Sequence, residues 1–215
     1  MKRTLAFSFF LFAAASLIAQ TAGEPTSFGE WVVSTNNPMY GMTLKARLVI
    51  SEVDGDFGSR TAVAYVELQN TNNAINTLYV GGNPSLRCEL RDSSGKVISP
   101  PLLGYTRGGL IQGSFWLALP LDSIVRFRPY DYIHAPAAEN GELVIHGGNY
   151  WKFPRGDTND YYLSGTLTLM VPKDEKPPAA RFPTGDGTFR TEEVSDNVCH
   201  GTFQLPPVKI SAKKL

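Results

Sequence analysis

Near residue 155 the chain carries Arg155-Gly156-Asp157, beside the rings of Tyr150, Trp151, Phe153, Tyr161 and Tyr162. At an exposed loop tip the tripeptide would suit an adhesion receptor, but Gly and Asp are also the residues that a tight turn selects. The turn reading is preferred, with Tyr161 or Tyr162 as the hydroxyl that caps the corner. Tyr150, Trp151 and Phe153 form a candidate platform for stacking a sugar or a peptide. The remaining chemistry is sparse. His134, His146 and His200 are the three histidines, and none has the helical spacing of a zinc protease or stands near a Cys-x-x-Cys pair. In "VCHGTF" neighbouring strand residues point to opposite faces, so Cys199 and His200 are not expected to form a thiolate–imidazole pair. A site drawn together from distant strands would use Cys88, His146 and His200. Glu52, Asp54 and Asp56 resemble a cation loop. Counted from Asp54, however, Ser59 and Tyr65 stand where an EF-hand needs glycine and glutamate, and a solvated hairpin is the expectation. No nucleophile elbow, phosphate-cradling loop or dinucleotide fingerprint is present, and no catalytic residue, metal or cofactor is assigned.

Cys88 and Cys199 are the two cysteines. In an oxidising compartment they are expected to bridge, closing a loop of 111 residues (199 minus 88). Such a cross-link is worth up to ~4.7 kcal/mol by chain entropy. Two unconnected buried thiols are the alternative, because spacing alone does not bring their Cα atoms together.

The compartment follows from the N-terminus. Lys2 and Arg3 precede an uncharged stretch from Leu5 to Ile18, followed by the small residues Ala19, Ala22 and Gly23. That order predicts a secretory signal peptide over 1–22, cut after Ala22 or Gly23. The apolar stretch is shorter than the ~20 residues of a membrane-crossing helix, and no later stretch spans a membrane. The expectation is a secreted or periplasmic protein. Without Lys2 and Arg3, 18 basic side chains face 20 acidic ones, a balance of −2 that lacks the basic field a nucleic acid needs. About 190 residues remain, enough for one domain over 23–215 with its own core.

The elements that must position these groups are strands. In "TLKARLVISEV" Leu44, Ala46, Leu48 and Ile50 share a face opposite Lys45 and Arg47; in "TAVAYVELQN" Ala62, Ala64, Val66 and Leu68 do the same. "DGDFGSR" between them predicts a hairpin. "SLRCELRD" points Leu86, Cys88 and Leu90 inward before a turn at Gly95; "SFWLAL", "SIVRF" and "ELVIHGG" are further short strands. "YYLSGTLTLMV" alternates except at Gly165, where a bulge is expected. Residues 172–196 carry four prolines and few apolar side chains, and predict a long loop. "CHGTFQLPPVKI" follows as a closing strand over 198–210.

"VELQNTNNAINTLYV", "LRCELRDSSGKVI" and "GDTNDYYLSGTLTL" together resemble bacterial immunoglobulin-like sandwich domains, with a layout similar to the intracellular proteinase inhibitor family over roughly 44–171. The Cys-Trp-Cys spacing of antibody domains is missing. The resemblance implies an all-β, immunoglobulin-like antiparallel β-sandwich with a long proline-rich loop before the last strand, and implies no activity. The functional expectation is an exported, non-catalytic binding or envelope-associated module whose partner is another protein or a glycan. The alternative is a secreted carbohydrate-binding protein or hydrolase built on Tyr150 and Trp151.

Overall fold

The computed structural model describes residues 25–34, 44–54, 56–71, 77–82, 84–101, 115–129, 138–169, 180–183, 189–192 and 198–212. The expected leader, 1–22, and His134 lie outside them. The described chain is built from strands: β1 (Pro25–Phe28), β2 (Val32–Val33), β3 (Leu44–Asp54), β4 (Arg60–Asn70), β5 (Thr77–Gly82), β6 (Ser85–Asp92), β7 (Val97–Ile98) and β8 (Phe115–Pro120). Then come β9 (Ile124–Phe127), β10 (Leu143–His146), β11 (Tyr150–Phe153), β12 (Asp160–Leu169), β13 (Ala180–Pro183), β14 (Phe189–Glu192), β15 (Val198–Cys199) and β16 (Gly201–Ser211). A 3-10 turn, Asp56–Gly58, lies between β3 and β4. No helix among the described residues is long and apolar enough to cross a membrane.

β3 and β4 pair antiparallel along their whole length, from Leu44↔Asn70 to Asp54↔Arg60, as the two alternating stretches require. They anchor the larger sheet, ordered β1-β3-β4-β10-β11, with β2 also on β3 and β9 also on β4. The second sheet is ordered β16-β12-β6-β7. A smaller sheet is ordered β15-β5-β8, and β13 pairs β14 alone. The expectation of purely antiparallel sheets is corrected. β10 runs parallel to the first part of β4, with Leu143 beside Arg60 and His146 beside Val63, and β15 runs parallel to β5. β4 is long enough to take two neighbours on one side, β10 near its start and β9 near its end.

Leu44, Leu48 and Ile50 from β3, Val66 and Leu68 from β4, and Ile145 from β10 belong to one core with Leu90 from β6, Leu163 and Leu167 from β12, and Phe203 and Ile210 from β16. Two sheets sharing one apolar interior fit a β-sandwich. Burying each such side chain stabilises the fold by about 1.5–3 kcal/mol, so the seam between the sheets holds them without a cross-link.

Gly165 breaks no alternation. β12 alternates without interruption through it, and a Cβ there would stand 2.9 Å from Leu86 Cδ1 and 3.5 Å from Cys88 Sγ. The glycine is an inward residue made small by its neighbours. The expected bulge lies instead on the partner strand: between the pairs Leu163↔Val208 and Gly165↔Leu205, β16 spends one residue more than β12. The extra residue falls at Pro206-Pro207, where the buried positions shift from Phe203 and Leu205 to Val208 and Ile210. Two residues without N–H donors are tolerated on this edge strand because a bulge needs no ladder bond there.

The 172–196 stretch is also corrected in part. Its parts 172–179, 184–188 and 193–196 lie outside the described residues, and between them β13 and β14 pair antiparallel, with Phe182 opposite Arg190. The closing strand runs as the short β15 and then β16, which pairs with β12 from Gly201 to Ser211.

Candidate functional site

The Arg-Gly-Asp tripeptide forms the corner between β11 and β12. Gly156 takes φ +80°, a left-handed backbone suited to glycine, and the Asp157 amide donates to the Pro154 carbonyl at 3.3 Å. Asp157 Oδ1 accepts from the Asn159 amide at 2.9 Å, and the Tyr161 hydroxyl donates to Asp157 Oδ2. The Tyr161 ring stacks on Phe153 with centroids 4.0 Å apart. Burial, and then the bond to Asp157, push the Tyr161 phenol well above its ordinary value. The corner tyrosine thus binds the aspartate side chain, and the Arg155 stem lies against Gly141, where a Cβ would stand 2.7 Å from Arg155 Cγ. Asp157 is spent on the turn.

Strand alternation divides the aromatic platform. Trp151 is 2 % exposed and Phe153 9 %, and both belong to the core, while Tyr150 is half-buried. The Trp151 indole N–H donates to the Ile98 carbonyl at 2.8 Å, tying β11 to β7 of the other sheet. A ring in the core has no open face for a ligand, so Trp151 and Phe153 are corrected from stacking residues to packing residues.

The expected disulfide between Cys88 and Cys199 is corrected as well: both are free thiols. They stand in different sheets, Cys88 on β6 and Cys199 on β15, and each is packed in its own place. Cys88 faces inward as its strand phase requires, in a niche left by Gly147 and Gly165; a Cβ on Gly147 would stand 2.9 Å from Cys88 Cβ and Sγ. Burial pushes both thiols up to about 12, and no cation pulls either down. A thiol in that state supplies no thiolate at neutral pH. His146 follows the inward Ile145 and so turns to the opposite face; burial, and then Arg128, hold its imidazole below its ordinary value. His200 is exposed while Cys199 is buried, which keeps the two apart as alternation demands. The set Cys88, His146 and His200 is therefore not drawn into a thiolate–imidazole site. Among the described residues no three His, Cys, Asp or Glu side chains are placed to hold a metal ion.

Glu52 leaves the supposed cation loop altogether. It turns inward to pair with Arg60, whose side chain is 2 % exposed against 8 % for Glu52. Arg60 also donates to the Ser211 carbonyl of β16 at 2.7 Å, so one guanidinium fastens β3, β4 and the opposite sheet at one end of the core. Burial lowers its pKa. Near the other end of β4, Asn70 is fully buried, and its side-chain amide donates to the Leu119 carbonyl of β8 at 2.9 Å.

Comparison with protein-family models, curated proteins and solved structures gives no match for this chain. Among the described residues the most developed polar arrangement lies away from every site the sequence suggests. On the outer face of the larger sheet the register lines up Arg47, Glu67 and Arg126 across β3, β4 and β9. Glu67 is 3 % exposed. Its Oε2 accepts from Arg47 Nε and Nη2, both at 2.7 Å, and its Oε1 accepts from Arg126 Nε at 3.0 Å and Nη2 at 2.7 Å. The Arg47 guanidinium also lies 4.5 Å from the ring centroids of Phe28 and Trp31. The outward placement of Arg47 and Glu67 was legible from alternation; their cross-strand pairing, and the arrival of Arg126 and the two rings, was not.

Proposed function

We propose that the chain is an exported, single-domain, immunoglobulin-like β-sandwich that works by binding, as a secreted or envelope-associated module without a catalytic centre. The immunoglobulin-like reading draws support from a tyrosine corner at the start of the late strand β12 and from a core Trp151 between the sheets. The observation that carries the functional part is where the reactive side chains are spent. Cys199 is buried and Cys88 packs half-buried against the core, their thiols are held near 12, Asp157 closes a corner, and Glu52 neutralises a buried arginine. The alternative on Tyr150 and Trp151 loses its platform to the core. Export is tested by expressing the full chain in a bacterial host, fractionating the cells and measuring the intact mass. A mature protein outside the cytoplasm starting at residue 23 or 24 is expected, and an uncut chain confined to the cytoplasm overturns the reading. Turnover of a peptide, ester or glycan substrate that disappears in Cys88→Ala or His146→Gln would overturn the non-catalytic part.

A further inference from the structure

We propose that the outer face of the β3–β4–β9 sheet binds an acidic polysaccharide, gripping its carboxylates with Arg47 and Arg126 and stacking a sugar ring on Phe28. The inference rests on reading the protein as a binding module and names the ligand class of that module.

Three cross-strand rows make up the face. The first is Lys45, Gln69 and Ile124; the second is Arg47, Glu67 and Arg126; the third is Phe28, Val49 and Tyr65. On the outward rows of β3, β4 and β9 the cations are Lys45, Arg47 and Arg126, and the only carboxylate is Glu67, a local charge of +2. The exported chain as a whole stands at −2, so this face concentrates charge of the opposite sign.

Glu67 sets the guanidinium geometry. Each arginine commits its Nε and one terminal nitrogen to the carboxylate, which leaves the other terminal nitrogen to a ligand. The side chains remain 21 % and 30 % exposed, so that edge meets solvent. Two neighbouring strand spacings separate the arginine backbones by roughly 10 Å along the row, and the buried acid between them draws both guanidiniums together and keeps them from folding away. Beside them Phe28 is 51 % exposed: one ring face carries Arg47, and the rest is open. Ile124, 49 % exposed, closes the other side of the patch.

Over β3 and β4 recognition is made by side chains alone; among the described residues β9, paired only to β4, keeps one free edge, which the poly-glutamate peptide tests. β4 has partners on both sides, and β3 has β4 on one side and β1 and β2 on the other, so their backbone groups are used in ladders. An extended peptide gains its affinity from backbone bonds at a sheet edge, which a sheet face does not offer. A sugar acid needs none. Its apolar ring face stacks on an aromatic ring and its carboxylate takes a charged fork, which is the pairing that Phe28 and the arginines present. A nucleic acid would need a longer run of cations than three.

The test is isothermal calorimetry on the full mature chain with a galacturonic acid oligomer, beside a neutral glucose oligomer of equal length, a poly-glutamate peptide and single-stranded DNA. The expected result is binding of the galacturonate alone, weakened by added NaCl. Arg126→Gln and Phe28→Ser should each weaken it about tenfold or more; Phe28→Ser, which removes a half-exposed ring, should keep the urea midpoint near the parent's, so that its loss of binding reports the face and not the fold, while Arg126→Gln also takes a partner from the buried Glu67. Lack of galacturonate binding, or binding indifferent to both variants, overturns the inference and leaves the export reading to fractionation. Equal binding of poly-glutamate or DNA overturns the sugar assignment. Chain-length analysis of the recovered oligomer separates the two readings: cleavage together with variant-sensitive binding upholds the face and overturns the non-catalytic module.

Discussion

Raising the pH from 8 to 10 should unfold this protein more easily through its two thiols. Cys88 and Cys199 have an ordinary value of 9.0 and are held at about 12 in the fold by burial. A group whose folded value is raised keeps its proton after the unfolded chain has released it. Its contribution is complete below pH 9 and is lost as pH climbs towards 12. At pH 10 the unfolded thiol is mostly ionised and the folded one is not, so each site loses between about 1 and 2 kcal/mol, and the pair about 3 kcal/mol. The Tyr161 phenol and the Lys152 and Lys209 amines, also raised, act in the same direction, so the thiol share must be isolated by difference. Urea unfolding of the parent and of the Cys88→Ala/Cys199→Ala double variant, followed by far-ultraviolet circular dichroism at pH 8 and pH 10 under argon, does this. The cavity cost of the alanines is the same at both pH values and cancels. The parent should lose about 3 kcal/mol more than the variant between the two pH values, and thiol titration in urea should count two free cysteines. Equal losses would refute the burial argument, and a count of zero would restore the bridge.

Three further outcomes follow from the packing. Arg60→Met should cost about 3–5 kcal/mol in urea unfolding, because it leaves Glu52 charged and unpaired in the interior and the Ser211 carbonyl without its donor; adding Glu52→Leu should recover much of the loss. Tyr161→Phe should cost about 1.5–3 kcal/mol, the range for a bond to a charged acceptor, with the stacking on Phe153 kept; a change near zero in the thermal midpoint would show that the corner needs no hydroxyl. Gly147→Ala, which puts a methyl group 2.9 Å from Cys88 Cβ and Sγ, should cost about 1–3 kcal/mol, and Cys88→Ala in the same chain should return part of it.

Local periodicity made the long strands readable. Leu44, Ala46, Leu48 and Ile50, and likewise Ala62, Ala64, Val66 and Leu68, face the core as their alternation implies, and Leu86 and Leu90 do the same around Cys88. What alternation does not carry is partnership. Nothing in "ELVIH" marks β10 as the parallel neighbour of β4, and nothing in "IVRF" sends Arg126 to Glu67, because both depend on where distant strands arrive. The bulge shows the limit of a one-strand reading. Gly165 drew it because a missing side chain looks like a phase error, whereas the two prolines on the partner strand had the stronger physical reason to host it. Trp151 misled in the same manner: "YWKF" is rich in rings, and only the strand phase separates those that pack from those that meet solvent.

The paired prolines of β16 shape how molecules of this protein meet one another. A copy seeking to extend the smaller layer by lying along β16 would find two consecutive positions without an amide hydrogen, a local change of strand direction, and the Lys209 ammonium held 2.7 Å from Asp160 at the same margin. Lateral growth into fibrils by that route is blocked. A flat, unbroken margin would instead offer a neighbouring copy a full row of amides.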